Sequence, residues 1–198
     1  MLLAVVIVTD ALAVWAGYRS IDVVNRLDTP GSGAVTEREV NSVDLWYALA
    51  GIAQTVALIA TAVVFLVWFY RVRVNAEVFA PEYHEKKRGW TIGGWFCPVV
   101  NLWFPRRIAL DIWKASSDGN RRGAALLNWW WALWVTTLLI GWTASRQYAR
   151  AETTDEVQNA LGSVLLTDVL DIVAAILAIL FVRRLTRMQY ERALRQAP

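Results

Sequence analysis

The chain has 198 residues, of which 57% are hydrophobic and 19% are charged, and its net charge is +3. A soluble domain typically has about 45–50% apolar and about 25% charged residues. The apolar residues are also concentrated in long runs, which excludes a soluble enzyme, a disordered tail and a nucleic-acid-binding domain. We therefore expect an all-α integral membrane protein.

Four apolar runs predict four membrane-spanning helices. A span needs roughly 20 apolar residues, and the runs 45–70, 124–142 and 161–182 reach about that length. The run 2–17 is shorter, but it has neither the basic leader nor the cleavage site of a secretory signal, so we predict a fourth span. The expected architecture is a single four-span domain over 1–198, folded as a four-helix bundle.

The basic residues predict the orientation of these spans. Fifteen Lys and Arg residues lie in 71–123 and in the C-terminal tail, against five in 18–44 and 143–160. Lys and Arg concentrate in cytoplasmic loops. We therefore expect a multi-pass protein of the cell membrane with both termini in the cytoplasm. Its basic residues are expected to contact anionic lipids rather than nucleic acid, because no nucleic-acid-reading motif is present.

The segments that connect the spans carry their own signals. Residues 20–43 predict a turn-rich external loop, and Asp44 follows it as the expected N-cap of the second span. Pro81 is expected to end the second helix. The acidic and histidine residues just after it predict a solvated loop, namely Glu82, His84 and Glu85.

A Trp-rich segment over 88–117 separates the second and third spans. It is too short and too broken to cross a bilayer, so we predict a cytoplasmic interfacial or shallow re-entrant segment. The expected breaks are Gly93-Gly94, Pro98 and Pro105. Pro105 also suits the first turn of an amphipathic helix over 106–116, which would lie in the interface plane. Asp118-Gly119-Asn120 predicts the turn that follows.

Several sequence blocks resemble one family over nearly the whole chain. They are Trp68-Phe-Tyr-Arg-Val-Arg-Val-Asn-Ala-Glu, Arg88-Gly-Trp-Thr-Ile-Gly-Gly-Trp-Phe-Cys-Pro-Val-Val-Asn-Leu-Trp-Phe-Pro, Asp111-Ile-Trp-Lys-Ala-Ser, Val173-Ala-Ala-Ile-Leu-Ala and Val182-Arg-Arg-Leu-Thr. The chain is similar to the domain-of-unknown-function 4328 family of actinobacterial membrane proteins. The resemblance implies an integral membrane protein and no agreed activity.

Three carboxylates lie inside the predicted spans: Asp10, Asp168 and Asp171. Each costs about 2.5–3.5 kcal/mol on insertion scales, so such residues are functional candidates. Together with Gln54 they lie at similar depths, which predicts a polar layer in the outer half of the bundle. The layer is either a proton relay or cation site, or a set of neutral side chains that hold the helices together by hydrogen bonds. We favour the second interpretation.

A second set of candidates lies on the predicted cytoplasmic side. Arg forks suit phosphate, and Trp faces can stabilise a cation, so the set could hold an anionic lipid headgroup. The lipid-binding candidates are Arg71, Arg73, Asn75, Trp90, Trp95, Asn101, Trp103, Arg106, Arg107 and Trp113. The alternative, which we favour, is a salt-bridge network of Arg71 with Glu77 and of Arg107 with Asp111, with Trp residues that anchor the segment.

The sequence leaves the function class open. The first hypothesis is a lipid-interacting or scaffold protein that contacts membrane lipids and forms homo-oligomers or binds another membrane protein. The alternatives are an enzyme acting on an amphiphilic or isoprenoid diphosphate substrate at the cytoplasmic face and a small oligomeric transporter. Catalytic candidates are Glu77, Asp111, Asp168 and Asp171. No cofactor is predicted; only the isoprenoid alternative would use Mg²⁺, with Asn75, Glu77 and Asp111 as candidate ligands.

Overall fold

A computed structural model describes residues 2–28, 35–117 and 123–196. The regular structure of these residues is helical throughout, which confirms the all-α prediction. The α-helices are α1 (Leu2–Asp28), α2 (Glu37–Phe79), α3 (Trp90–Phe96), α4 (Phe104–Ser116), α5 (Ala125–Arg150) and α6 (Thr154–Gln196), and the short 3-10 helices are Pro81–Tyr83 and Val100–Leu102.

Within the described residues, three stretches are long and apolar enough to cross a membrane. They are Leu2–Leu27, Glu37–Phe79 and Thr154–Gln196. Helix α5 has 26 residues but is not among them. Four Trp residues in its first ten positions lower its apolarity, and Trp prefers the membrane–water interface to the bilayer centre. The chain therefore has the helices of a membrane protein, with the third predicted span as the least apolar of the four.

The helices extend beyond the predicted spans, and this corrects two predictions. The loop expected over 20–43 is wrong for 20–28 and 37–43, which belong to α1 and α2. Asp44 is not an N-cap, because it lies inside α2. Thr36 has that role instead, since its hydroxyl accepts a hydrogen bond from the Glu39 N–H at 3.3 Å. Thr36 and Glu39 have the spacing of a capping box. The turn residues expected at 29–34 lie outside the described part of the chain.

The Trp-rich segment is more helical than expected. Pro81 follows the end of α2, as predicted, and residues 97–99 interrupt the helix around Pro98. Gly93 and Gly94, however, do not break the segment, because both lie within α3. A Cβ atom on Gly94 would lie 3.3 Å from the Phe104 Cβ, so the glycine allows α3 and α4 to pack closely.

The predicted helix over 106–116 is present within α4. It begins at Phe104 with Pro105 as its second residue, and one face buries Ile108, Ile112 and Trp113. This confirms an amphipathic helix at these positions, whereas its location at a membrane surface remains a prediction. The turn expected at 118–120 lies outside the described residues.

The chain forms two compact units. The first unit consists of Met1–Ala60 and Leu133–Ile176, and the second unit consists of Thr61–Ala132 and Leu177–Pro198. Helices α2, α5 and α6 contribute residues to both. The two units differ in charge: the first contains five Lys and Arg against eleven Asp and Glu, and the second contains fifteen against six.

Small side chains form the core of the first unit. Ala13, Ala16 and Ala50 are buried together, and Tyr47 packs against them. Gly17 lies so close to Leu165 that an added Cβ atom would be 2.7 Å from its Cδ2. Small residues let helix backbones approach closely, which is the usual packing of membrane helices.

Aromatic side chains form the core of the second unit. Phe181 stacks on Trp130 with ring centroids 5.1 Å apart and on Trp113 at 6.4 Å. Trp95 contacts Phe65 and Trp131 edge-to-face, at 5.5 and 5.8 Å. We call the connected set the aromatic cluster; it consists of Phe65, Trp68, Phe69, Trp95, Trp113, Trp130, Trp131 and Phe181.

Two polar side chains of α6 complete the second unit. Gln189 donates hydrogen bonds to the Val72 carbonyl oxygen at 2.8 Å and to the Ser116 hydroxyl at 3.1 Å. The Arg192 guanidinium donates to the carbonyl oxygens of Ala115 and, at 3.4 Å, of Phe79. The last carbonyls of a helix have no partner within the helix, so Arg192 satisfies groups at the C-terminal ends of α2 and α4, whereas Gln189 joins α6 to both helices.

Candidate functional site

The candidate residues of the predicted cytoplasmic side all lie in the second unit, but in different surroundings. Some are ion-paired in the interior, some belong to the aromatic cluster, and some are exposed. The exposed charged and aromatic candidates are Arg71, Arg107, Trp90 and Trp103. Sequence reasoning grouped all of these residues into one site, whereas the structure divides them by burial.

An ion-pair network that includes the buried Arg73 centres on Glu77, which is partly exposed. Its carboxylate contacts the Arg73 guanidinium at 2.5 Å and also accepts a hydrogen bond from Arg88. Arg73 is 2% exposed and donates a further hydrogen bond to the Lys86 carbonyl oxygen at 2.9 Å. The expected pair of Arg71 with Glu77 is therefore wrong, because Arg73, four residues from Glu77, lies on the same helical face and takes its place.

Asp111 is a buried carboxylate of this unit. Its partner is Lys114 at 3.9 Å, which replaces the expected Arg107. Burial raises the pKa of Asp111 above its ordinary value, while Lys114 opposes the shift. The nearby loop was expected to be solvated, and Glu82 and Glu85 are indeed exposed. His84 is half-buried instead, and its pKa is lowered by burial and by the Arg73 guanidinium.

The polar side chains around these pairs hold elements together. Asn75 donates a hydrogen bond to Gln189 at 3.3 Å, and Arg106 donates to Asn128 at 2.8 Å. Gln189 is 5% exposed and Arg192 is 8% exposed, and sequence reasoning identified neither. The signal that could have found them is their spacing from Leu185, since positions 185, 189 and 192 share one face of α6.

The Trp candidates separate into two classes. Trp95 and Trp113 belong to the aromatic cluster, and Trp113 is 0% exposed. Trp90 and Trp103 are 40% and 43% exposed. Asn101 has intermediate exposure, and its buried side-chain oxygen has no hydrogen-bond partner among the described residues. The interior Trp residues therefore shape the unit, and the exposed ones are available to contact membrane or partner.

An apolar groove of the second unit ends at a positive charge. Residues of α2 form most of its wall, Ile92 of α3 also lines it, and among the described residues the Arg71 side chain is the only charged group that does so. The lining residues are Val63, Leu66, Val67, Tyr70, Arg71 and Ile92. An acyl chain has the shape and polarity to fill the apolar part, and a phosphate would suit Arg71.

The members of the predicted polar layer meet in the first unit, whereas its place in the outer half of a bilayer stays a prediction. Gln54 donates one amide hydrogen to Asp10 Oδ1 and the other to Asp168 Oδ1, both at 2.8 Å. Asp171 interacts with the Thr137 side chain. Sequence reasoning predicted that Asp10, Gln54 and Asp168 share one depth, but it did not predict that the amide joins both acids. It also did not identify Thr137.

The proposed Mg²⁺ ligands have protein partners. Glu77 accepts from two guanidinium groups, Asp111 pairs with Lys114, and Asn75 uses its amide to bind Gln189. In the described ranges, no three His, Cys, Asp or Glu side chains are placed to hold a metal ion.

Comparison with protein families identifies the chain at the family level. A family model described as "Domain of unknown function (DUF4328)" matches residues 32–187, which is most of the chain. The chain belongs to the DUF4328 family. The match includes the aromatic cluster, the Glu77 network and the groove. No curated protein and no solved structure matches the chain.

Proposed function

We propose that this DUF4328 protein is a four-span protein of the cell membrane, with both termini in the cytoplasm, that binds anionic phospholipids through its second unit. In this proposal the protein acts as a lipid-binding scaffold. The observation that carries the proposal is the groove along α2, because its wall is apolar and its one charged lining residue is Arg71.

The exposed surface of the Trp-rich segment supports membrane contact. Six large apolar side chains between 90 and 103 are 37% to 72% exposed, although the segment packs against α4. Water would penalise such a patch, whereas the interfacial region of a bilayer favours Trp and other apolar groups. The exposed residues are Trp90, Ile92, Phe96, Val99, Leu102 and Trp103.

The charge of the second unit supports an anionic lipid. Fifteen basic residues against six acidic ones give it a strong positive excess. Each Lys or Arg near an anionic leaflet contributes about 1 kcal/mol of attraction. The same excess supports the cytoplasmic location by the positive-inside rule.

The ion pairs of Glu77 favour a binding role over the enzyme alternative. Glu77 is held by Arg73 and Arg88, so its oxygens are engaged in an internal ion pair. A buried pair that loses one partner leaves an uncompensated charge, at a cost of about 3–5 kcal/mol. Recruiting Glu77 as a metal ligand or general base would require breaking these contacts.

Lipid retention tests the groove directly. We expect the purified protein, transferred from mixed anionic and zwitterionic vesicles to native mass spectrometry, to retain anionic phospholipid preferentially. Arg71→Gln should reduce that preference several-fold because it removes the charge at the end of the groove. Arg183→Gln is the matched control, since Arg183 is exposed in the same unit but does not line the groove. An equal loss of the anionic-lipid preference in both variants would show that the preference comes from the overall positive charge of the unit. That result would overturn the groove proposal.

The chain's single cysteine tests the topology. Cys97 follows α3 in the Trp-rich segment and is partly exposed. A membrane-impermeant maleimide should label Cys97 only from the cytoplasmic side. In a Cys97→Ser background, Asn159→Cys should be labelled only from the outside, because Asn159 is exposed near the start of α6. Labelling of both positions from the same side would contradict the four-span arrangement.

A further inference from the structure

A buried carboxylate of α1 is joined to a carboxylate of α6 through one amide of α2. Gln54 uses both hydrogens of its amide nitrogen, one on Asp10 Oδ1 and one on Asp168 Oδ1. A primary amide nitrogen has only two hydrogens, so this donor capacity is fully used. If both acids were ionised, two negative charges would share one neutral donor.

The carboxyl of Asp10 provides an independent observation. Asp10 is 2% exposed, and its second oxygen, Oδ2, is buried without a hydrogen-bond partner among the described residues. Buried polar atoms are normally satisfied, and an ionised oxygen that lacks a donor is especially costly. The oxygen therefore lies where a bound positive charge would stabilise the structure.

The groups facing this pair from the neighbouring helices contribute no positive charge. Helix α6 adds Asp171, which interacts with Thr137 of α5. Helix α2 adds Tyr47, which lies within electrostatic range of Asp168 and near Tyr148 of α5.

Arg19, a basic residue of the first unit, is separated from Asp10 by more than two turns of α1. Arg19 is the nearest to Asp10 in α1, and nine residues correspond to about 13 Å. The other four are Arg26, Arg38, Arg146 and Arg150. Within the part of the chain that the structure describes, no internal ion pair neutralises the acids.

We propose that Asp10, Gln54 and Asp168 form a proton-binding site within the apolar helices of the first unit. The site holds at least one proton at neutral pH, on one of the two carboxyl groups that the Gln54 amide joins. A proton is favoured over a metal ion, because the acidic side chains of the described residues do not converge as a metal-ligand set. The site is independent of the lipid groove, whose lining residues belong to the second unit.

Infrared spectroscopy of the full chain in lipid vesicles measures this proton directly. A protonated carboxyl group has a carbonyl stretch that an ionised carboxylate lacks and that shifts in heavy water. We expect the parent protein to show this band at pH 7 and to lose it only in more alkaline buffer. Absence of the band from the parent at pH 7 would overturn the proposal without any variant.

Conservative substitutions assign the band. Asp10→Asn and Asp168→Asn should each reduce or remove it, because Asn keeps the shape of the side chain but cannot hold the proton. Asp171→Asn separates the contribution of the neighbouring acid. Asp44→Asn is the matched control, since Asp44 is exposed on α2. A band that persists unchanged in both Asp10→Asn and Asp168→Asn would overturn the assignment.

Two further measurements keep the proposal falsifiable if an Asn variant is poorly folded. Gln54→Leu removes the shared donor and should shift the band to higher frequency without abolishing it. Na⁺ added to the parent at constant pH should leave the band intact. Loss of the band on Na⁺ addition would identify a metal-cation site and overturn the proton proposal.

Discussion

The two units handle buried polar groups in opposite ways. The first unit buries carboxylates among small side chains and joins two of them through the neutral amide of Gln54. The second unit, whose core is aromatic, buries Arg73 and Arg192, and it satisfies them with Glu77 and with backbone carbonyls. Among the described residues, the buried acids of the first unit have no basic partner, whereas the second unit pairs its buried guanidinium groups with a carboxylate or with carbonyl oxygens. Under the proposed proton site, the first unit depends on a bound proton, whereas the second unit relies on internal ion pairs and hydrogen bonds.

The largest expected effect comes from the aromatic cluster of the second unit. Trp113→Ala removes a side chain that is 0% exposed and stacks on Phe181. Truncation of a buried Trp costs about 3–5 kcal/mol, so the unfolding free energy in mixed micelles should fall by about that amount. Trp129→Ala is the control, because Trp129 is 70% exposed. Similar losses for both would show that Trp113 does not belong to a packed core.

The next largest effect comes from the buried ion pair. Glu77→Gln leaves the Arg73 guanidinium buried without its carboxylate, which should cost about 3 kcal/mol of unfolding free energy. Its counterpart, Glu191→Gln, breaks an exposed pair with Arg187 and should change stability little. Equal effects in equilibrium unfolding would mean that burial does not distinguish the two pairs.

A smaller effect is expected from the acids of the first unit. The double substitution Asp168→Asn with Asp171→Asn keeps the shape of both side chains and their capacity to form hydrogen bonds. The unfolding free energy at pH 7 should stay within about 0.6 kcal/mol of the parent, which is the average strength of a side-chain hydrogen bond between membrane helices. Thermal melts between about pH 5 and 9, with and without divalent ions, provide the measurement. A large loss that divalent ions reverse only in the parent would instead support a metal site.

The smallest effect concerns pH and returns to the second unit. The pKa of His84 is lowered from its ordinary value of about 6.5, so below that pH the unfolded chain binds a proton that the folded chain does not. Stability should therefore fall as the pH decreases from 7 to about 5, and His84→Gln should reduce this slope.

Asp111 provides a control of opposite sign. Its raised pKa means that the folded chain holds a proton longer than the unfolded chain as the pH rises. Its contribution to stability is therefore lost with increasing pH above about 3.9. Asp111→Asn should remove that opposing contribution. The unfolding free energy should then fall more steeply as the pH decreases from 7 to about 5. A slope that does not respond to either substitution would contradict both assignments.

Sequence reasoning predicted the helical class, the family and the common level of Asp10, Gln54 and Asp168 along their helices, because these depend on local apolar periodicity and on recognisable residue blocks. It missed the start of α2 because Asp44, an acidic residue beside an apolar run, has the position expected of an N-cap. The residues that mark the start of the helix are Thr36 and, three residues later, Glu39. It also expected Gly93-Gly94 to break a helix, although Gly94 serves close packing against Phe104.

The partners within the candidate site were harder to predict than its members. The segment contains several arginines with the same side chain, among them Arg71, Arg73, Arg88 and Arg107. Only the folded helices decide which guanidinium group reaches Glu77. Gln189 and Arg192 act on carbonyl groups that are more than 70 residues away along the chain. Such long-range contacts leave no local pattern, whereas the four-residue spacing of Arg73 and Glu77 was readable and was passed over in favour of Arg71.

The contacts of Arg192 have a consequence for biosynthesis. The carbonyl oxygens of Phe79 and Ala115 receive their hydrogen bonds from a side chain that is translated 113 and 77 residues later. Domains fold progressively as the chain is synthesised from its N-terminus, but the ends of α2 and α4 must remain hydrated until the C-terminal turns of α6 leave the ribosome. The second unit is therefore completed only after Arg192 has left the ribosome, so a nascent chain stalled before Arg192 should be a substrate for membrane quality control.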